Sequence, residues 1–227
     1  MKTKNFVRIL SLLLLVCMTV TYFTACNNGE KNGIDEDDFK AEISSEPTNY
    51  VMMDITYTNA GGKETTGQLV MELYPDVAPI TVENFKDLVA DEFYDGLTFH
   101  RVYDGFMIQG GDPEGNGSGD SGTRIKGEFA ANGVENDLSH TRGVVSMARG
   151  GYSYDSASCQ FFIVHADSTF LDGQYASFGR VIYGMDTVDG IAKTAVKFNS
   201  SGEKTSPINP VKINYAKFVT VTDSAAE

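Results

Sequence analysis

The chain has 227 residues and a formal net charge of −13 at pH 7, with 31 acidic residues against 18 Lys and Arg. This length suits one domain or two small ones, and the acidic balance argues against nucleic acid, which requires a basic footprint. It also disfavours electrostatic adhesion to anionic lipid and favours solubility. Three cysteines cannot supply a disulfide framework.

The first 25 residues have the features of a secretion signal. Three basic residues precede an apolar run over 9–22, and Phe23-Thr-Ala-Cys26 follows. This pattern resembles a bacterial lipoprotein leader, in which Cys26 would be lipidated and become the first residue. An uncleaved anchor and ordinary secretion are the alternatives, although the run is shorter than the ~20 residues that span a bilayer. All three place the body outside the cytoplasm, and we predict a cell-envelope protein held at the membrane by its lipid anchor only.

Composition divides the rest of the chain into three parts. Residues 26–47 are rich in Asn, Gly, Glu, Asp and Ser, and we predict a flexible acidic tether. Residues 48–222 form the predicted folded domain, and 223–227 a short tail. Near its start, Val51 to Thr58 alternates as in a strand, and Asn59-Ala-Gly-Gly62 predicts a hairpin to the next strand.

Two short helices are predicted among many strands. Thr81 is a candidate N-cap before apolar residues at helical spacing, and a second amphipathic segment runs over 185–196. The continuous apolar run 161–164 predicts a central strand, and 211–218 predicts a closing strand with strict alternation. Many short strands with two isolated helices favour a closed antiparallel barrel.

The segment Phe99-His-Arg-Val-Tyr-Asp-Gly-Phe-Met-Ile-Gln-Gly-Gly-Asp112 predicts two short strands with a tight link. Period-two counting places Met107 and Gln109 on one face of the second strand and leaves the direction of Phe106 open. The segment contains no nucleophile with an attendant base and no metal-ligand cluster. A fixed cation, Arg101, beside an apolar slot suits a reaction that needs binding and polarisation without bond making, so we expect no metal and no cofactor.

This segment resembles the signature of the cyclophilins, the cyclosporin-binding class of peptidyl-prolyl isomerases. Gly143-Val-Val-Ser-Met-Ala-Arg149, Ser158-Cys-Gln-Phe-Phe-Ile163 and Phe170-Leu-Asp-Gly173 agree with that family in order and approximate spacing. The similarity covers roughly residues 50–221. It implies a mainly β fold, a closed eight-stranded antiparallel barrel capped by two short α-helices, and isomerisation of X-Pro bonds.

The resemblance also implies a role for each residue of a candidate site. Arg101 would be the catalytic hydrogen-bond donor, without a covalent intermediate. The remaining candidates would bind the substrate, through an apolar wall, backbone contacts or a rim: Phe106, Met107, Gln109, Ala148, Arg149, Gln160, Phe162, Phe170, Leu171 and Tyr175.

The expected partners follow from the same resemblance. They are proline-containing unfolded or extended polypeptides, here exported proteins, and we expect a monomer. Phe170 stands where many relatives have Trp, which predicts only weak cyclosporin binding. A non-catalytic chaperone or adaptor on the same barrel is the alternative function, and a small-ligand barrel is a third possibility. Cys159 is expected to be an inert buried side chain, with a reactive thiol as the alternative.

Overall fold

A computed structural model of the chain describes residues 39–222. The predicted leader, Cys26, the first part of the tether and the tail 223–227 lie outside these residues. The helices are α1 (Pro79–Ala90) and α2 (Met185–Ala192), with single 3-10 turns at Ala130–Asn132 and Thr169–Leu171. The strands are β1 (Lys40–Ile43), β2 (Tyr50–Thr58), β3 (Glu64–Leu73), β4 (Arg101–Tyr103), β5 (Met107–Gly110), β6 (Val144–Met147), β7 (Phe161–Val164), β8 (Ser177–Tyr183), β9 (Val196–Phe198), β10 (Lys204–Pro207) and β11 (Lys212–Thr222).

Nine strands form one antiparallel sheet in the order β1-β11-β2-β3-β8-β6-β7-β5-β4, and β9 pairs only with β10. The predicted closed eight-stranded barrel is therefore corrected, because the two end strands β1 and β4 do not pair with each other. The segment before β4 approaches β11 only through the isolated bridge Thr98–Lys212 and bonds such as Phe99 N–H to the Val211 carbonyl.

Strand β1 lies within the predicted tether, so the folded part begins before residue 48. Residues 40–43 pair with the C-terminal end of β11. Phe39 stacks on Tyr183 with 4.5 Å between ring centroids, and Ala41 packs on a small apolar cluster outside the main core. Apolar side chains on the outer face of β2 and β3, such as Met52 and Val70, give this segment a surface on which to dock.

The main core lies on the inner face of the sheet. Alternate residues of β2 and β3 point into it, as the sequence predicts. Strand β11 differs from its predicted strict alternation, because its register with β2 shifts between Ile213 and Tyr215. This bulge keeps Ile213 inside, turns Tyr215 outward, and brings Ala216 and Phe218 into the core.

Both predicted helices cover the core, with corrected limits. Helix α1 starts at Pro79 with Ala78 as its N-cap, since proline is suited to the first helical position. Thr81 lies inside the helix and is not the cap. Helix α2 ends at Ala192, earlier than predicted. Its Gly190 is explained by packing, because a Cβ there would lie 2.3 Å from the Tyr57 hydroxyl.

Within residues 39–222, no helix combines the length and apolar character needed to cross a bilayer.

Candidate active site

One cleft brings together most of the residues that the sequence analysis selected. Its volume is about 190 Å³. It opens beside β4, β5 and β7, and it contains one guanidinium, one amide and a set of apolar side chains. Nine of the eleven candidates line it: Arg101, Phe106, Met107, Gln109, Ala148, Arg149, Phe162, Leu171 and Tyr175.

Strand pairing places the polar and apolar parts of the cleft side by side. Arg101 on β4 is directly opposite Gln109 on β5, and Gln109 is in turn opposite Phe162 on β7. Met107 and Gln109 share a face, as period-two counting predicts, while Ile108 points into the main core. Phe106, whose direction the sequence left open, turns toward the cleft.

The apolar wall rests on a small core of its own. Met107, Phe162 and Leu171 are buried together with Val144 and Val164, and Phe106, Ala148 and Tyr175 pack on them partly exposed. Strands β6 and β7 contribute side chains to the main core and to this small core. Both of their faces are covered, and successive residues point to opposite faces. Strand residues at the centre of the sheet therefore form the base of the wall, and residues outside the strands, such as Phe106 and Leu171, complete it.

Arg101 is held by a residue that sequence analysis did not select. Its Nε and Nη2 donate to Oε2 and Oε1 of Glu203, each at 2.7 Å. The third nitrogen, Nη1, lies 3.5 Å from Gln109 Oε1 and 3.8 Å from Met107 Sδ. Hydrogen bonds from Arg101 hold the pKa of the Glu203 carboxyl below its ordinary value, against a smaller opposing effect of burial.

Gln160 lies beside the cleft and connects it to a glycine-rich loop over residues 113–122. It accepts a hydrogen bond from Gln109 Nε2 at 2.9 Å and donates to the carbonyls of Gly117 and Gly119. Asp112 shapes this loop by accepting hydrogen bonds from three of its backbone N–H groups. Hydrogen bonds therefore connect the backbone of this loop, through the Gln160 side chain, to Gln109 in the cleft.

The side chain of Arg149 is occupied within the protein. Its guanidinium carbon lies 4.9–5.3 Å from the ring centroids of Phe129, Tyr154 and Tyr175. Nε donates to the Gln174 carbonyl at 2.9 Å. This position among three aromatic rings favours a structural cation–π role for the guanidinium.

Phe170 stands on the rim and does not line the cleft. The 3-10 turn Thr169–Leu171 points Leu171 inward and leaves Phe170 72% exposed, against the ring of Phe106. This arrangement suits contact with a bound chain outside the proline slot.

A buried polar group lies behind the Phe162 ring. The His140 ring stacks on it, with 6.0 Å between centroids and 16° between planes. Nδ1 of His140 lies 2.7 Å from Asp172 Oδ1, and Nε2 lies 3.0 Å from Ser146 Oγ. Because Ser146 is fully buried, this Ser-His-Asp geometry gives no accessible nucleophile and instead supports the wall.

Cys159 is also excluded as a nucleophile. It is fully buried, and burial raises the pKa of its thiol to about 11. The thiolate is the reactive form of cysteine, so the inert interpretation of this residue is supported.

Neither Glu203 nor the His140 group carried a signal in the sequence. Glu203 follows Arg101 by 102 positions, in a polar segment between α2 and β11. Acidic residues are common in such segments, and local periodicity does not report a partner so far along the chain. Nothing in the residues around His140 indicates that its ring packs against Phe162 on β7.

Comparisons with known proteins show the family of the chain. The family model described as cyclophilin type peptidyl-prolyl cis-trans isomerase/CLD matches residues 52–218. The chain is 45% identical over 123 residues to peptidyl-prolyl cis-trans isomerase B of Bacillus subtilis, covering 54% of this chain and 82% of that protein. It is 40% identical over 165 residues to peptidyl-prolyl cis-trans isomerase-like 1 of Gibberella zeae, covering 71% and 95%.

A solved structure is similar as well. It is a cyclophilin type peptidyl-prolyl cis-trans isomerase of Cryptosporidium parvum, determined in the presence of the dipeptide Ala-Pro. The TM-score is 0.57 at 28% identity, over 73% of this chain and 98% of that one. The chain belongs to the cyclophilin-type family of peptidyl-prolyl cis-trans isomerases.

Proposed function

We propose that this isomerase acts on X-Pro bonds of exported polypeptides, with Arg101 as the catalytic donor and without a covalent intermediate. The proline ring would pack against the apolar wall formed by Phe106, Met107 and Phe162. Gln109 would hold the backbone of the substrate beside it. Proline-containing chains in an unfolded or extended state fit a cleft that is open on one side.

The chemistry needs no nucleophile. Rotation about the amide is opposed by a barrier of about 18–20 kcal/mol, because the C–N bond has partial double-bond character. In the twisted state the proline nitrogen regains its lone pair and becomes a hydrogen-bond acceptor. A donor fixed near that nitrogen stabilises the twisted state more than the planar one, which is the condition for catalysis.

The observation that carries this proposal is the position of Arg101 Nη1. Two nitrogens of the guanidinium are bound to Glu203, and the third faces the cleft beside Met107 and Gln109. The other guanidinium at the cleft, on Arg149, is surrounded by three aromatic rings. Arg101 is therefore better placed than Arg149 to donate to a bound proline.

NMR exchange spectroscopy on an Ala-Pro tetrapeptide tests the proposal. We expect the full chain, purified in detergent, to accelerate cis–trans exchange, and Arg101→Ala to reduce that acceleration strongly. Peptide binding without accelerated exchange would instead favour the alternative, a proline-binding chaperone or adaptor. Unchanged exchange in a folded Arg101→Ala protein would remove Arg101 from the catalytic role.

We also propose that the domain works outside the cytoplasm, attached to a cell-envelope membrane through a lipid on Cys26. The support is the basic start, the apolar run and the Phe23-Thr-Ala-Cys26 motif. An acid-rich segment of about a dozen residues precedes Phe39. Such a segment suits a spacer that keeps an acidic domain clear of a negative surface.

A further inference from the structure

Glu203 grips one side of the Arg101 guanidinium. Both hydrogen bonds measure 2.7 Å and join parallel N–H groups to the two carboxylate oxygens. This two-bond geometry fixes the plane of the guanidinium as well as its distance. The side chains are 30% and 34% exposed. An ion pair of this exposure contributes little to folding stability. Its effect on the orientation of Arg101 is therefore the more important one.

The Glu203 carboxylate is also held in place by residues of its own turn. Glu203 lies at the end of the β9–β10 turn, where Asn199 Oδ1 accepts its backbone N–H at 2.9 Å. Asn199 N–H donates to the Glu203 carbonyl, and Thr205 Oγ1 donates to Glu203 Oε2 at 3.1 Å. Asn199 and Thr205, which lie close to Glu203 in the chain, therefore hold its carboxylate in one orientation. Arg101 binds a carboxylate that is already positioned.

The two hydrogen bonds to Glu203 determine which nitrogen of Arg101 faces the cleft. With Nε and Nη2 engaged, Nη1 is directed toward Met107 Sδ and Gln109 Oε1. An arginine without such a partner has several rotamers of similar energy, and many of them point to solvent at an edge strand such as β4. Loss of the carboxylate would therefore lower the fraction of molecules in which Nη1 faces a bound proline.

We propose that Glu203 is a positioning residue for prolyl isomerisation, which acts by aiming Arg101 Nη1 into the cleft. The proposal rests on the proposed role of Arg101 as donor. Glu203 acts only through Arg101, because its carboxylate is turned to the guanidinium and is absent from the lining of the cleft. The β9–β10 hairpin, which pairs with no strand of the main sheet, is thereby part of the catalytic apparatus.

A double-mutant cycle on the full chain tests this inference. Glu203→Gln is nearly isosteric and replaces one acceptor oxygen by an NH2 group, which donates and cannot accept. We expect it to lower kcat/KM on an Ala-Pro tetrapeptide about tenfold, since misplacement of a positioned group is costly. The loss should fall on kcat, with KM within about twofold, because the apolar wall is untouched. In the Arg101→Ala background, the same change should leave the residual rate unchanged.

The matched control is Glu92→Gln, which breaks an ion pair with Lys217 away from the cleft and should keep the parent rate. NMR of the Arg101 Nε–H gives a readout independent of rate: a slowly exchanging signal in the parent that is lost in Glu203→Gln. Parent-like turnover of Glu203→Gln, while Arg101→Ala is impaired, would overturn the positioning role and leave the proposed function standing. Equal losses in both backgrounds would also overturn it. Parent-like turnover of Arg101→Ala would overturn the proposed function itself.

Discussion

The exposed ring of Phe170 lies against the ring of Phe106, with 5.5 Å between centroids and 33° between planes. Phe106 lines the cleft, whereas Phe170 extends its apolar surface outward to the rim. A phenyl ring at this place offers contact area but no hydrogen-bond donor.

Because Phe170 offers no hydrogen-bond donor at the rim, we expect weak cyclosporin binding. The resemblance to cyclophilins implies that relatives with Trp at the Phe170 position donate an indole N–H to the drug. A buried acceptor without a partner costs about 1–3 kcal/mol. Affinity should therefore be about ten- to hundredfold lower than in such relatives, and Phe170→Trp should recover part of it. Inhibition titrations check this, with Ile43→Trp on β1 as control. Nanomolar inhibition of the unaltered protein would contradict the prediction.

Arg101→Ala should leave the fold intact and lower kcat/KM about 10²–10³-fold, the usual effect of removing one transition-state donor. Arg101→Lys should also be poor, because an ammonium cannot form the two parallel bonds to Glu203. Exchange spectroscopy measures the rates, and circular dichroism checks folding.

The rate of the parent should be nearly constant between about pH 5.5 and 8.5, because arginine does not titrate in this range. The lowered pKa of Glu203 keeps the ion pair charged over the same range. A bell-shaped profile centred near neutrality would instead implicate a histidine.

Helix α1 depends on a carboxylate from a distant loop. Glu128 is buried and accepts from the backbone N–H groups of Ile80 and Thr81 and from Thr81 Oγ1. Glu128→Ala would leave these donors without a partner, and we expect the free energy of unfolding to fall by about 1–3 kcal/mol. Urea denaturation measures it. Glu83→Ala, on the exposed face of α1, is the control, and equal stability of the two variants would show that Glu128 is not the cap.

His140 should make the protein less stable in weak acid. Burial lowers the pKa of His140, and Asp172 opposes this only in part. An unfolded histidine titrates near ~6.5, so below that pH the unfolded state takes up the proton first and the free energy of unfolding falls. Above about pH 7 this contribution is fully present. Burial lowers the pKa of His100 too, and its effect has the same sign.

One measurement detects the loss of stability, and a second assigns it to His140. Urea denaturation at a series of pH values between neutrality and weak acid should show the loss of stability. A ring-nitrogen NMR titration should show Nδ1–H, bonded to Asp172, and a midpoint below that of free histidine. Titration of the His140 ring at or above the free value would refute the assignment.

Cys26→Ser should abolish lipid attachment and leave an unprocessed precursor, because a hydroxyl cannot replace the thiol as the lipid acceptor. Incorporation of radioactive palmitate measures this. Ser45→Ala, a change on the exposed surface of the folded part, should be labelled like the parent. Equal labelling of the Cys26→Ser protein would eliminate the lipoprotein interpretation.

The sequence by itself determined most strands of the main sheet, the presence of two helices and, through the family resemblance, nine residues of the cleft. It did not indicate β1, β9 or β10. Alternation in β2 and β3 and the apolar run of β7 are local patterns, and burial on one or both faces produces them directly. The motif around Arg101 and Gln109 identified a family, and nine of the eleven selected residues line one cleft.

Only the tertiary structure decided which distant groups meet. The grip of Glu203 on Arg101, the Glu128 cap on α1 and the His140 ring behind Phe162 join residues from separate elements. The bulge in β11 and the docking of β1 likewise depend on which surfaces remain uncovered after the sheet has formed. Periodicity and propensity report the surroundings of a residue along its own element, whereas these pairs are set by packing between elements, which leaves no periodic trace in the chain.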